Sequence, residues 1–371
     1  MTSPDHVFVD ALGVCVHLEL TGLTPAESDH IRALWAHCAC AHAGETSVVI
    51  RAALDSNVLV LLDPADFDMV LGSFPELCER LSSLITRTAV AERATSLLML
   101  HAGGVADPET GRAAVMVGPS GMGKTTATRI LGREYVYVSD ETIGFDAHLR
   151  IEPYLKPLAL KDDLPASLGW KTQAAPESLG LRMTDAAAFD LGPLLFLDRI
   201  RTSADGEHAQ GAQIVPIPAD EAIHRLVEQV SYLASRETPI RRLRHLIEVA
   251  GGAYRVRYSE ATSIAPVLAE LFPGLRPVRY DRVLSRAIVS DEVSVGGRTH
   301  LFQDGRLIVL NEIATLIWHL SEFPTPLTLI EEAVWRAFGH PIGEGDVDEL
   351  VTELTAAGLL IESSSEMELI R

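Results

Sequence analysis

Basic residues, cysteines and long apolar runs are all scarce in this chain of 371 residues. Lysine and arginine number 31 against 51 acids, for a formal charge of −20. That balance leaves no broad cationic surface to replace phosphate counterions, which argues against a nucleic-acid partner and suits an anionic membrane surface poorly. No apolar run approaches the roughly 18–20 residues of a membrane span. The opening MTSPDHVFVD has neither the basic start nor the apolar core of a signal peptide, so a cytoplasmic location is expected. The four cysteines (Cys15, Cys38, Cys40, Cys78) crowd unevenly into the first quarter, and no disulfide framework is expected from them. The length exceeds one ordinary core, so two or three domains are expected.

What the sequence does hold is organised around Gly118–Thr126, GPSGMGKTT. Gly118, Gly123, Lys124 and Thr125 fit G-x-x-x-x-G-K-[ST], between an apolar run (Ala113–Val117) suited to a buried strand and a helix start. Glycines such as Gly121 and Gly123 let N–H groups turn inward around a phosphate, and the helix adds its positive end. Lys124 reaches β/γ-phosphates, the Thr125 hydroxyl holds Mg²⁺, and Ser120 and Thr126 complete the expected cradle. The motif predicts a nucleotide site.

Residues 1–95 read as an α+β unit with strands at Val7–Leu12, Val14–Leu20, Ser47–Ala53 and Val58–Leu62. Helices are expected at Glu27–Ala41, with Ile31, Leu34, Trp35 and Cys38 on one stripe, and at Phe67–Arg87. His37, Cys38, Cys40 and His42 suggest zinc, but Cys40 points away from the Cys38/His42 face and no second ligand pair follows, so packing is expected.

From Ser96 to about residue 276 the pattern becomes that of an α/β enzyme. SLLML leads to His101-Ala-Gly-Gly, and the later strand YVYV ends on Ser139-Asp140-Glu141. Acids at the carboxyl end of a strand beside a phosphate loop stand where a metal ligand or base is needed. A hairpin is expected over Ile143–Ile151. Lys156 and Lys161 in PYLKPLALK are either phosphate or peptide contacts or merely solvated, and Asp162–Ala188 is a candidate lid. Further on, Leu194–Leu197 and Ala253–Tyr258 read as strands, Ala219–Ser235 as a helix, and Ser259 as the cap of a helix reaching Phe272. After a linker at Pro277–Tyr280, residues 281–371 read as short strands (Ile288–Val293, Thr299–Phe302, Leu307–Val309) beside three helices, the first capped by Asn311. This is a winged-helix pattern with about ten more acids than bases, which speaks against DNA.

Two stretches resemble known families. LHAGG, GRAAVMVGPSGMGKTT, YVYVSDE and PYLKPLALK, in that order, resemble the HPr kinase-like branch of phosphate-loop kinases. The resemblance implies a mixed-sheet core binding ATP and Mg²⁺ through Lys124 and Thr125, with His101, Asp140 and Glu141 at the reacting centre. The family has two aspartates where this chain has Asp140-Glu141; we assign the base role to Asp140 and metal ligation to Glu141. The oligomer-forming signature of HPr kinase itself is not evident, and self-association stays open. DGRLIVLNEIATLIWHL with DVDELVTELTAAGLLIE resembles the PqqD-like precursor-peptide recognition domains, which implies binding of a leader peptide by strand addition. Together they imply a serine/threonine kinase acting on a ribosomally made precursor peptide. A small-molecule kinase and a nucleotide-gated peptide-binding protein without net transfer are the alternatives.

Overall fold

The computed structural model describes residues 4–40, 48–54, 64–160, 170–200, 211–339 and 344–363. The protein is mixed α/β, with nine α-helices and six sheets among the described residues. None of the described helices is long and apolar enough to cross a membrane.

The N-terminal layer begins with the antiparallel hairpin β1 (Asp5–Ala11) and β2 (Val14–Thr21), whose turn holds Leu12 and Gly13 at positive φ. A capping box opens α1 (Pro25–Leu34): Thr24 Oγ1 accepts from the Glu27 N–H while the Glu27 carboxylate accepts from the Thr24 N–H. β3 (Val48–Leu54) and β4 (Met69–Leu71) add in parallel, and α2 (Phe74–Glu92) packs across the sheet. α1 stops short of Ala41, because a 3₁₀ turn at Ala36–Cys38 takes over, yet Ile31, Leu34, Trp35 and Cys38 are all buried. α2 starts later than Phe67, since Met69–Leu71 is drawn into the sheet. Cys40 is disulfide-bonded to Cys15, a crosslink the spacing did not reveal; the Cys40 N–H donates to the Phe8 carbonyl, which lays this segment beside β1. His42 and the strand expected at Val58–Leu62 lie outside the described residues.

The central region runs β5 (Leu98–Leu100), β6 (Ala102–Ala106), β7 (Arg112–Val117), α3 (Lys124–Leu131), β8 (Val136–Ser139), β9 (Ile143–Phe145) and β10 (Ile151–Glu152). It continues with β11 (Leu158–Leu160), β12 (Thr172–Ala174), β13 (Asp190–Arg199), β14 (Gln213–Ile217), α4 (Ala219–Val227), β15 (Val230–Ser231), α5 (Pro239–Val249), β16 (Ala253–Tyr258) and α6 (Ile264–Leu271). Six strands form the main sheet in the order β14-β16-β13-β7-β6-β8. β7 pairs parallel with β13, and β13 parallel with β16. β6 is antiparallel to both β7 and β8, so β8 runs the same way as β7. Ala113, Val115 and Val117 face one apolar layer, while Ala114 and Met116 face another that includes α3 and α6 residues, so β7 is buried on both faces. The expected helix at Ala219–Ser235 ends at Val227, because Val230–Ser231 pairs with Leu100 and Met99. Ser259 is not a cap; a 3₁₀ turn, Ala261–Ser263, precedes α6. The hairpin between β9 and β10 matches expectation.

The C-terminal region contains β17 (Val283–Arg286), β18 (Asp291–Val295), β19 (Arg298–Gln303), β20 (Arg306–Val309), α7 (Glu312–Leu320), β21 (Thr325–Pro326), α8 (Leu327–Phe338), α9 (Glu344–Ala356) and β22 (Leu360–Ser363). Asn311 caps α7 through a 2.8 Å bond from the Ala314 N–H. The expected strand at Ile288–Val293 is displaced: Ile288 is 97% exposed between β17 and β18. Two three-stranded sheets result, β21-β17-β22 and β18-β19-β20. This region shares one apolar core with the main sheet, running from Val115 and Phe196 through Leu243 and Leu246 to Trp318 and Ile330. The junction also carries a buried ion pair. Arg112 Nη1 lies 3.1 Å from both carboxylate oxygens of Glu332, and Arg112 Nε donates to the Leu191 carbonyl at 2.6 Å.

Candidate active site

Four parallel strands, β8, β7, β13 and β16, end on the same edge of the main sheet, and antiparallel β6 begins there. That edge therefore collects Asp140, the glycine-rich loop, Arg199, Tyr258 and His101 from distant parts of the chain, the usual place for a ligand in an α/β sheet. A cleft of about 290 Å³ opens at this edge, lined by His101, Ser120, Gly121, Gly123–Thr126, Asp140, Glu141, Lys171 and Arg199. Among the described residues that the sequence marks out, Gly118, just after β7, and Lys156 are not part of the lining.

The loop is held from two sides. Gly123 sits at φ 87° as the N-cap of α3, and a Cβ there would stand 2.9 Å from Tyr258 Oη. The Tyr258 hydroxyl donates to the Met122 carbonyl, tying β16 to the loop. On the other flank, Gly103 lets α3 pack tightly on β6, since a Cβ would come within 2.4 Å of Thr128 Oγ1. Lys124 folds onto the loop itself, donating to the Gly118 and Pro119 carbonyls. Burial brings its ammonium down to about 8, against the pull of Glu141 and Asp140.

Asp140 is 3% exposed, and its Oδ1 has no hydrogen-bond partner among the described residues. Burial raises its pKa above the usual aspartate value, with Lys156 opposing the rise. The Glu141 carboxyl is held below its ordinary range by the Lys156 ammonium, 2.7 Å away. Lys156 itself is buried, and Nζ lies 3.6 Å from Asp140 Oδ1. Burial works against its charge, but Asp140 and Glu141 outweigh it and raise its pKa. Burial and the nearby Lys124 lower the pKa of His101, which favours the neutral ring. The site thus holds two carboxylates with opposite shifts, the pattern that separates a proton acceptor from a standing anion.

The sequence offers Lys156 only as one loop lysine among prolines. The structure turns it inward because its segment runs beside β8: the Tyr154 N–H donates to the Val138 carbonyl, and the Tyr137 hydroxyl to the Lys156 carbonyl. Tyr154 in turn packs into the N-terminal core and meets Thr86 Oγ1 at 3.0 Å. Residues 1–95 therefore brace the strap that delivers Lys156. Tyr258 carries no local signal of its role, and Arg199 is one of several arginines, of which it and Arg129 line the cleft among the described residues. Lys161 and residues 162–169 of the expected lid lie outside the described residues. Of the described part of that segment, Lys171 lines the cleft and Leu181 is buried against Tyr137 and Leu158.

The chain matches no family model, and a search of curated proteins finds no match either.

Proposed function

We propose that this protein is an ATP- and Mg²⁺-dependent kinase that phosphorylates a serine or threonine hydroxyl of a ribosomally made precursor peptide. In this reading residues 96–276 are a phosphate-loop, HPr kinase-like core, and residues 281–371 are a winged-helix, PqqD-like domain that holds the leader. The observation that carries the enzymatic part is Asp140: a buried carboxylate whose Oδ1 has no hydrogen-bond partner among the described residues and faces the Lys156 ammonium at 3.6 Å, in the same cleft as Lys124 and the glycine-rich loop. A gate that only bound nucleotide would need metal ligands but no base.

The donor set suits Mg²⁺, since a hydroxyl and carboxylates are hard oxygen ligands and Thr125 lies within hydrogen-bonding reach of Asp140. Thr125 and Glu141 would hold the ion, which when bound neutralises charge along the phosphate oxygens. The chain's own groups do the rest. The peptide hydroxyl oxygen bonds to the γ-phosphorus, the bond to the β–γ bridging oxygen breaks, and ADP leaves. The hydroxyl proton passes to Asp140. Lys124 and the loop N–H groups stabilise the charge on the transferring group, and Arg199 adds a cation at the cleft rim.

The C-terminal part of the reading rests on the sheet β18-β19-β20. Among the described residues no further strand pairs with the outer edges of β18 and β20, and the outward face exposes Val293, Val295, Phe302, Leu307 and Val309. An extended peptide completes such an edge with main-chain bonds while apolar side chains cover the face.

Incubation of the full chain with ATP, Mg²⁺ and the small precursor peptide encoded beside it, followed by mass measurement, tests the reading. A gain of one phosphoryl group on serine or threonine supports it. ATP binding with an unmodified peptide overturns it in favour of a gate.

A further inference from the structure

On the solvent face of the N-terminal sheet, His6, His17 and Glu19 bring their ligand-type atoms within 4.8 Å of one another. The arrangement follows from strand register. His6 on β1 lies directly opposite Glu19 on β2, and His17 and Glu19 are two residues apart on the same face. His6 Nδ1 and His17 Nε2 stand 2.9 Å apart in a hydrogen bond that a bound ion would replace, and Glu19 lies beside the same ring, with Oε1 3.9 Å from His17 Nδ1.

We propose that His6, His17 and Glu19 form a binding site for a divalent first-row transition ion, separate from the nucleotide cleft. Two imidazole nitrogens bound at about 2.0–2.1 Å stand about 2.9 Å apart when they subtend a right angle at the metal, and about 3.4 Å when tetrahedral. The observed spacing matches the right-angled case, the preference of Cu²⁺ and Ni²⁺. Two imidazoles and one carboxylate also form the nitrogen-rich set that such ions favour over Mg²⁺ and Ca²⁺.

The site is pre-positioned rather than incidental. Phe8 stacks on the His17 ring, with centroids 4.4 Å apart and planes 9° from parallel, which fixes that ring. The Arg51 guanidinium binds Glu19 Oε2 at 2.9 Å and leaves Oε1 on the side of His17. The backbone carbonyl of His6 accepts from Arg32, which anchors the strand bearing the first ligand. Three protein ligands leave coordination positions open toward solvent, where water or a donor from another molecule completes the shell.

The test uses the full-length protein without a histidine tag, titrated with Cu²⁺ and with Ni²⁺. Binding is read by calorimetry, and the Cu²⁺ complex by electron paramagnetic resonance. The wild type is expected to take up one equivalent whose copper signal carries coupling to two nitrogens. Both His6→Gln and His17→Gln should lose that coupling and bind at least 10- to 100-fold more weakly, the loss that even an outer-shell partner costs. Asp140→Asn, which disables the other carboxylate site, should retain both. These histidines sit on the solvent side of the sheet, and unchanged circular dichroism melts will show that the variants fold. Equal affinity and unchanged nitrogen coupling in the two histidine variants would overturn the assignment. So would a wild-type protein with no nitrogen-coupled equivalent.

Discussion

Lys156 Nζ and Glu141 Oε2 lie 2.7 Å apart, with the lysine side chain 1% exposed, so a buried ammonium is committed to the acids of the cleft. It holds Glu141 ionised and limits how far burial raises Asp140. Lys156→Met is expected to raise both carboxyl pKa values. Because the proposed base works deprotonated, the acid limb of the pH–rate profile should then move to higher pH, with Lys156→Arg restoring part of the shift. An acid limb that stays in place would remove Lys156 from the chemistry.

Asp140→Asn keeps the shape of the proposed base and removes its proton affinity. ATP should still bind while turnover falls about 10²–10⁴-fold. Lys124→Ala should abolish transfer and leave leader binding unchanged. Nearly normal turnover in Asp140→Asn would point to His101 or Glu141 as the base.

On the proposed reading, the pH profile of kcat/KM should be bell-shaped. The acid side reflects Asp140, whose raised pKa means that the competent carboxylate appears only as pH climbs above the ordinary aspartate value. The alkaline side reflects Lys124, whose charge is lost as pH rises through about 8. Bound phosphates favour the ammonium, so the alkaline limb of kcat should lie at higher pH than that of kcat/KM. Coincident limbs would mean that Lys124 does not meet the phosphates.

Leader binding on the proposed reading depends on the β18-β19-β20 sheet. An affinity near 1 μM, about −8 kcal/mol, suffices to hold a tethered core peptide at the cleft. Leu307→Asp or Val293→Asp should weaken binding of a labelled leader by about tenfold or more. Turnover of a short core peptide lacking the leader should not change. Undiminished leader binding in both variants would place the peptide elsewhere.

Glu332 neutralises Arg112 inside the junction between the main sheet and the C-terminal region. Glu332→Ala leaves a buried guanidinium without its counter-charge and should cost about 3–5 kcal/mol, measured by denaturant unfolding. Arg112→Met with Glu332→Leu should recover much of that loss. The shared core also means that a chain cut after residue 280 loses apolar cover over α5, so the fragment should melt well below the whole protein. Equal melting would show that the two regions are energetically independent.

Features encoded in a few neighbouring residues were legible in the sequence alone. The loop Gly118–Thr126, the Asn311 cap and the strand Ala253–Tyr258 depend on local φ/ψ demands and side-chain alternation, which a short window contains. The order of strand, loop and acidic pair likewise pointed to Lys124, Thr125, Asp140 and Glu141, which the shared direction of β7 and β8 brings to one edge, while His101, implied only by the family resemblance, reaches that edge at the start of antiparallel β6. Tertiary structure decided whatever depends on a distant partner. Ala219–Ser235 breaks after Val227 because Val230–Ser231 finds β5, more than a hundred residues earlier in the chain. Cys15 meets Cys40 because that segment lies beside β1. Lys156, an ordinary loop lysine by composition, turns inward because Tyr154 is anchored between Val138 and Thr86. Arg112 looks like a surface residue at a strand start until Glu332 arrives from α8 to make its burial affordable. Long-range pairing and charge compensation are properties of pairs, and neither member carries the signal by itself.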